Sequence, residues 1–147
     1  MIQGGGDSLR VIVAIQCRLS SNRLPAKALL KLSNTTVLGM TVSRSLAFGY
    51  PTFLLTSEEK DDDLLIRESE LLSINGVIRG SLNNVLSRFI LLTQSVDADF
   101  IVRVTADNPL TEFRFIDPLL KHMSKNNLSY TWVDPYQCAY GVNLEIF

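Results

Sequence analysis

Apolar positions along the chain alternate between two spacings. Val11 to Ile15 is an uninterrupted apolar run rich in Val and Ile, the pattern of a parallel strand covered on both faces. From Thr36 to Leu46 the period lengthens, with Val37, Leu38, Val42 and Leu46 forming a rough helical stripe and Gly49 and Pro51 punctuating its end. Thr52 to Thr56, with Phe53, Leu54 and Leu55, reads as a second strand. The acidic run Glu58 to Asp63 then leads into a helix expected from about Asp61 to Leu72. Carboxylates suit a helix start, where free N–H groups and the dipole favour negative charge. A metal site is the sharper reading of this run, and the solvated helix start is the preferred one.

Gly76 to Arg79 reads as a short strand, turned out by Arg79-Gly80-Ser81. Leu82, Val85, Leu86, Phe89 and Ile90 recur at i, i+3, i+4, i+7 and i+8, which describes one buried helical face. Asn83 and Asn84 are placed to cap its first turn. Phe100 to Thr105 is the next strand. Glu112 to Asn127 is expected to be mostly helical, with Phe115, Ile116, Leu119, Leu120 and Met123 buried and Pro118 in the first turn. Ser129 to Val133 reads as a strand with Trp132 as core or rim. Val142 to Phe147 alternates as a half-buried strand, so the chain is expected to stop inside a sheet element.

Strand and helix patterns alternating throughout predict a three-layer α/β domain over residues 10–147, with a mainly parallel sheet between helices. In such sheets ligands bind beyond the carboxyl ends of the strands. Arg18, Arg23 and Lys27 fall in the loop after the first strand, with Ser20, Ser21 and Asn22 between them; these groups suit a polyphosphate. For an arbitrary loop, an ordinary solvated surface would be the plainer account. The strand Phe100 to Thr105 delivers Asp107 to the same edge. That residue could form the turn with its side chain or help hold magnesium, which takes one or two carboxylates plus phosphate oxygens.

Composition narrows the classes. A chain of 147 residues, 46% hydrophobic and 20% charged, is a soluble single domain long enough for a real core. It has no apolar run of membrane-spanning length. Met1 to Leu9 lacks the basic and apolar regions of a secretory signal, and Gly4, Gly5 and Gly6 make it a flexible leader or a cloning remnant. A cytoplasmic protein is expected. Fourteen basic against fifteen acidic residues argue against nucleic acid as a bulk partner, so anion binding must be local. Cys17 and Cys138 have no metal-type spacing and read as free thiols. A lowered thiol pKa is conceivable for Cys17 beside Arg18, although a small buried filler is the plainer reading. His122, beside Lys121, reads as a surface histidine. Glycine-rich dinucleotide and P-loop fingerprints are absent.

The pattern Gln-x-Arg-x-x-Ser-x-Arg-Leu-Pro-x-Lys, Gln16 to Lys27, resembles the signature loop of the cytidylyltransferase family. That family includes CMP-sugar-acid synthetases and the spore coat polysaccharide biosynthesis protein F group. Arg79 to Phe89 resembles the family's Arg-Gly-Ser-x-x-Asp-Val-Leu-x-Arg-Phe/Tyr, with Asn84 replacing the acidic residue. Val102 to Leu110 resembles Val-Arg-x-Thr-Gly-Asp-x-Pro-Leu.

The resemblance implies a Rossmann-like nucleotidyltransferase that transfers CMP from CTP to a sugar or sugar acid for surface polysaccharide synthesis, releasing pyrophosphate. It implies that Arg18 and Lys27 hold the triphosphate, that Arg23 supports the loop, and that Gln16 and Ser21 add hydrogen bonds. Asp107 would hold Mg2+, and Ser81 and Arg88 would lie near base and sugar, although Arg88 could instead cover the helix surface with its stem. Family members are roughly half as long again, with a C-terminal portion that contributes to the sugar site and a dimer interface. The chain therefore looks like the N-terminal nucleotide-binding part of such an enzyme, with a homodimer as the implied assembly.

Four further positions depart from the family. Ser20, Ala26 and Ala106 stand where glycines are frequent, and Ala26 should cost little if its φ is negative. Asn143 stands in Gly141-Val142-Asn143-Leu144-Glu145 where the family tends to show Gly-x-Asp-x-Glu. A non-catalytic nucleotide-binding module and a plain dimerisation domain therefore remain alternatives to the enzyme.

Overall fold

A computed structural model of the chain describes residues 9–20, 24–134 and 136–147. Residues 1–8 of the expected leader lie outside the described residues. In chain order the elements are β1 (Val11–Gln16), β2 (Lys31–Leu32), β3 (Thr35–Thr36), α1 (Val37–Ala47), β4 (Thr52–Ser57), α2 (Asp63–Glu70), β5 (Gly76–Gly80), α3 (Val85–Ser95), β6 (Phe100–Thr105), α4 (Ile116–Asn126), β7 (Thr131–Trp132) and β8 (Glu145–Ile146). Short 3-10 turns occupy Lys27–Leu29, Lys60–Asp62 and Phe113–Phe115.

The main sheet runs β5-β4-β1-β6-β8-β7. Its first four strands are parallel, and β8 pairs antiparallel with both β6 and β7. β1 is the axis, flanked on both sides and buried from Val11 to Ile15, as its unbroken apolar run requires. Alternate residues feed two cores. Val13, Ile15 and Leu54 pack with Leu38 and Val42 of α1, Leu65 of α2, and Ile116, Leu120 and Met123 of α4. Ile12, Ala14, Phe53 and Leu55 pack on the opposite face against Phe89 and Leu92 of α3. Three layers result, as the alternation predicts. Each fully buried aliphatic side chain stabilises the fold by about 1.5–3 kcal/mol.

Local chemistry sets the helix ends. Thr36 caps α1, its hydroxyl accepting from the Gly39 N–H at 2.9 Å, and Asn84 caps α3 by accepting from the Ser87 N–H at 3.1 Å. Such caps contribute about 1 kcal/mol each. α4 ends at Asn127, whose left-handed backbone (φ 51°) lets its N–H reach the carbonyls of Met123 and Ser124.

Several expectations need correction. The buried face of α3 is Val85, Arg88, Phe89 and Leu92, while Leu86 and Ile90 are exposed. The helix is rotated because Arg88 turns inward to donate to two carbonyls below the sheet edge. The acidic run is not uniformly solvated, since Asp62 is buried. The two final strands shrink to two residues each, because β8 pairs with β6 only over Val102 and Arg103. Trp132 is about half exposed, so it is rim. The β2–β3 hairpin, with Ser33 at φ 58° in its turn, was not anticipated. Ala26 has φ 54° rather than the negative value at which alanine would cost little, so an alanine there carries a cost of about 1–2 kcal/mol.

Candidate functional site

A cleft of about 580 Å³ opens at the carboxyl ends of β1 and β6. Its lining includes Gln16 from the end of β1, Arg18, Ser20 and Lys27 from the first loop, Leu82 from the turn before α3, and Thr105, Ala106 and Asp107 from the end of β6. Parallel register brings these together: Gln16 lies opposite Thr105, and the Ala106 N–H donates to the Gln16 carbonyl at 3.0 Å. α1 braces the Asp107 side from behind. Its Thr41 hydroxyl reaches the Ala106 carbonyl at 3.2 Å, and Arg44 donates to the Thr111 carbonyl at 3.1 Å.

Lys27 and Asp107, 80 residues apart, form an ion pair across the cleft. Both side chains are about a third exposed, at 31% and 38%. Burial pushes the Asp107 carboxyl up, but hydrogen bonds from Lys27 and Thr105 outweigh it and hold the group below the usual carboxylate range. Arg18 and Ser20 are exposed beside the pair. Gln16 is engaged from the sheet, its Oε1 accepting from Arg103 Nε at 3.2 Å. Arg103 pairs in turn with Glu145 at 2.7 Å, so β8 is tied to the cleft's edge. Gly141, at φ 83°, faces the Asn108 side chain, and the Glu112 N–H donates to the Val142 carbonyl. Asn143 thus lies on a segment that runs beside the Asp107 loop.

Of the residues singled out from sequence, Gln16, Arg18, Lys27 and Asp107 converge on the cleft. Ser21 and Arg23 lie outside the described residues. Ser81 and Arg88 do not line the cleft. The Ser81 hydroxyl accepts from the Asn84 N–H at 3.1 Å. Arg88 has no exposed surface, so it does not cover the helix. Its Nε donates to the Ser81 carbonyl and its Nη2 to the Leu82 carbonyl, each at 3.0 Å, fixing the turn that presents Leu82. Gly80 makes room for it: a Cβ there would sit 3.1 Å from Arg88 Cγ. Cys17 is a buried thiol pushed up to about 12, first by burial and then by Asp62 and Asp107, which removes the lowered-pKa reading. Both cysteines are free, and His122 is exposed.

Sequence reasoning missed Leu82, Thr105 and Arg103. The register of β6 against β1 could have placed Thr105 beside Gln16, but a two-strand pairing across 42 residues gave no local signal for Arg103 and Glu145.

A family model described as cytidylyltransferase matches residues 12–140. An uncharacterized protein of Methanocaldococcus jannaschii is 33% identical over 141 residues, covering 95% of this chain and 57% of that protein. The spore coat polysaccharide biosynthesis protein SpsF of Bacillus subtilis is 28% identical over 130 residues, covering 84% of this chain and 53% of its own length. A solved cytidylyltransferase structure from Leptospira borgpetersenii is 29% identical with a TM-score of 0.84, covering 95% of this chain and 60% of that one. The chain spans little more than half the length of the curated relatives it matches. No helix among the described residues is long and apolar enough to cross a membrane.

Proposed function

The chain belongs to the cytidylyltransferase family, and from that premise we propose that its cleft binds CTP and serves transfer of CMP to a sugar or sugar acid, with release of pyrophosphate. The observation that carries the proposal is the Lys27–Asp107 ion pair at the cleft, drawn from two loops with opposite charges. Nucleotide triphosphate with magnesium offers each partner a replacement: a phosphate oxygen for the ammonium and a divalent cation for the carboxylate. Arg18 and Ser20 stand beside them to add donors. Relatedness to a spore coat polysaccharide biosynthesis protein supports a sugar as acceptor.

In this reading an acceptor hydroxyl attacks the α-phosphorus in line and pyrophosphate leaves. The protein contributes position and charge neutralisation. Lys27 and Arg18 hold the β- and γ-phosphates, and Gln16, fixed by Arg103, lines the floor. No covalent nucleophile is required, and Cys17 stays a protonated, buried thiol. Magnesium fits the donor set. Asp107 supplies one partly exposed carboxylate, and no group of three His, Cys, Asp or Glu side chains converges among the described residues. An ion that takes one or two carboxylates and completes its shell with water and phosphate oxygens suits such a place. Bound there, it would neutralise charge on the triphosphate.

The test is pyrophosphate release from CTP and magnesium with a panel of neutral sugars and sugar acids. Turnover that Lys27→Ala abolishes supports the enzyme. One observation favours a second reading, a non-catalytic nucleotide-binding module: Asn143 supplies a neutral carbonyl where the family tends to carry a carboxylate. CTP binding without pyrophosphate release, restored by Asn143→Asp, would select it.

A further inference from the structure

Beneath the cleft, the described residues include a buried carboxylate that none of the roles above uses. Asp62 is 2% exposed. Its Oδ1 accepts from the Leu19 N–H at 2.8 Å. Its Oδ2 accepts from the Thr56 hydroxyl and the Ser57 N–H, each at 3.1 Å, and from the Ser57 hydroxyl. Four donors from two distant segments therefore meet one side chain.

Each carboxylate oxygen thus accepts one backbone N–H, Oδ1 from Leu19 and Oδ2 from Ser57, so the site needs an acceptor on both sides. An asparagine would face its NH2 toward either the Leu19 or the Ser57 backbone N–H, whichever way it turned. Asp62 does not cap the following helix, so the helix-start role that an acidic run suggests is not the one it performs.

Leu19 is a fixed point in the first loop. Its N–H is held by Asp62, its carbonyl accepts from the Ala26 N–H at 3.1 Å, and its side chain is buried. Arg18 and Ser20, on either side, are exposed and line the cleft. The end of β4 is tied onward to the other wall: Arg79 donates to the Ser57 and Glu59 carbonyls at 3.0 Å, and the Glu58 N–H donates to the Gly80 carbonyl at 3.1 Å.

We infer that Asp62 is the positioning residue of the triphosphate-facing loop, fixing the backbone at Leu19 to the end of β4 and so setting where Arg18 and Ser20 stand. The consequence for ligand binding rests on the CTP reading above; the loop geometry does not. Asp62 is buried and is not among the residues that line the cleft. It acts through Leu19.

The experiment compares the wild-type chain with Asp62→Asn and with Ile101→Val, a change in the core on the opposite face of the sheet, which holds no residue of the first loop. Three readouts are taken: melting temperature, amide hydrogen exchange at Leu19, and affinity for CTP with magnesium. Asp62→Asn is expected to raise Leu19 exchange by about tenfold or more and to weaken CTP by about tenfold, while Ile101→Val lowers the melting temperature and leaves both unchanged. Unchanged Leu19 protection in Asp62→Asn overturns the inference. So does wild-type CTP affinity in that variant, where the wild type binds. If the wild type binds no CTP, the functional reading falls, and Leu19 exchange alone decides the positioning role. Should Asp62→Asn fail to fold, the pair Thr56→Val and Ser57→Ala loosens the same carboxylate from its other side and is read the same way.

Discussion

The rim and the underside of the cleft carry charge in opposite manners. At the rim, Lys27 and Asp107 pair with each other while about a third exposed. Underneath, Asp62 and Arg88 are buried: Asp62 bonds to backbone N–H groups of the first loop and β4 and to two β4 hydroxyls, and Arg88 to carbonyls of the turn before α3. A partly exposed pair contributes only about 0–1 kcal/mol, because water and salt replace each partner. Buried groups have no such replacement, and an orphaned one costs about 1–3 kcal/mol. Charges that must change partners when a ligand arrives sit where exchange is cheap. Charges that hold the walls sit where exchange is prohibitive.

The sharpest break of that contrast is Arg88→Met. It leaves the Ser81 and Leu82 carbonyls without their donor and removes the positive charge that partly offsets Asp62. A loss of about 1–3 kcal/mol or more in urea unfolding is expected, the cost of orphaned buried acceptors. Lys27→Ala should do the reverse, leaving stability within about 1 kcal/mol while weakening triphosphate binding about tenfold or more, some 1.4 kcal/mol. Equal stability losses in the two variants would erase the distinction between rim and underside.

A smaller effect concerns the loop backbone. Ala26 holds φ 54°, so Ala26→Gly relieves about 1 kcal/mol of left-handed strain and should raise the unfolding midpoint. A fall would mean that the methyl group's packing matters more than its strain.

The smallest effect at neutral pH is at Cys17. Its thiol is raised from 9.0 to about 12 in the folded chain, so the unfolded chain loses this proton first. Stability is full below pH 9 and falls as pH rises toward 12. Cys17→Ala should flatten that alkaline slope, measured by unfolding at a series of pH values. Tyr50, raised to about 12 by burial and by Asp117, leaves a residual slope of the same sign.

Much of the fold was legible because period and burial agree. The Val11–Ile15 run could only be a central strand, and the stripes of α1 and α4 fall on their buried faces. The misreadings share one cause. Arg88 and Asp62 look like surface residues in sequence, so α3 was given the wrong phase and the acidic run was read as wholly solvated. A buried charge that bonds to backbone groups, in the preceding turn for Arg88 and in the first loop for Asp62, leaves no periodic trace. The rim was legible for the complementary reason: Lys27 and Asp107 sit in loops at strand ends, where polar side chains face solvent or ligand. The left-handed turn at Ala26 was hidden because alanine gives no sign of positive φ.

Calorimetric titration of CTP with and without magnesium, with ATP and GTP as controls, reads out whether this cleft is a nucleotide triphosphate site. Binding selective for CTP and strengthened by magnesium is the expected result. No heat and no competition from any nucleotide under either condition would contradict it.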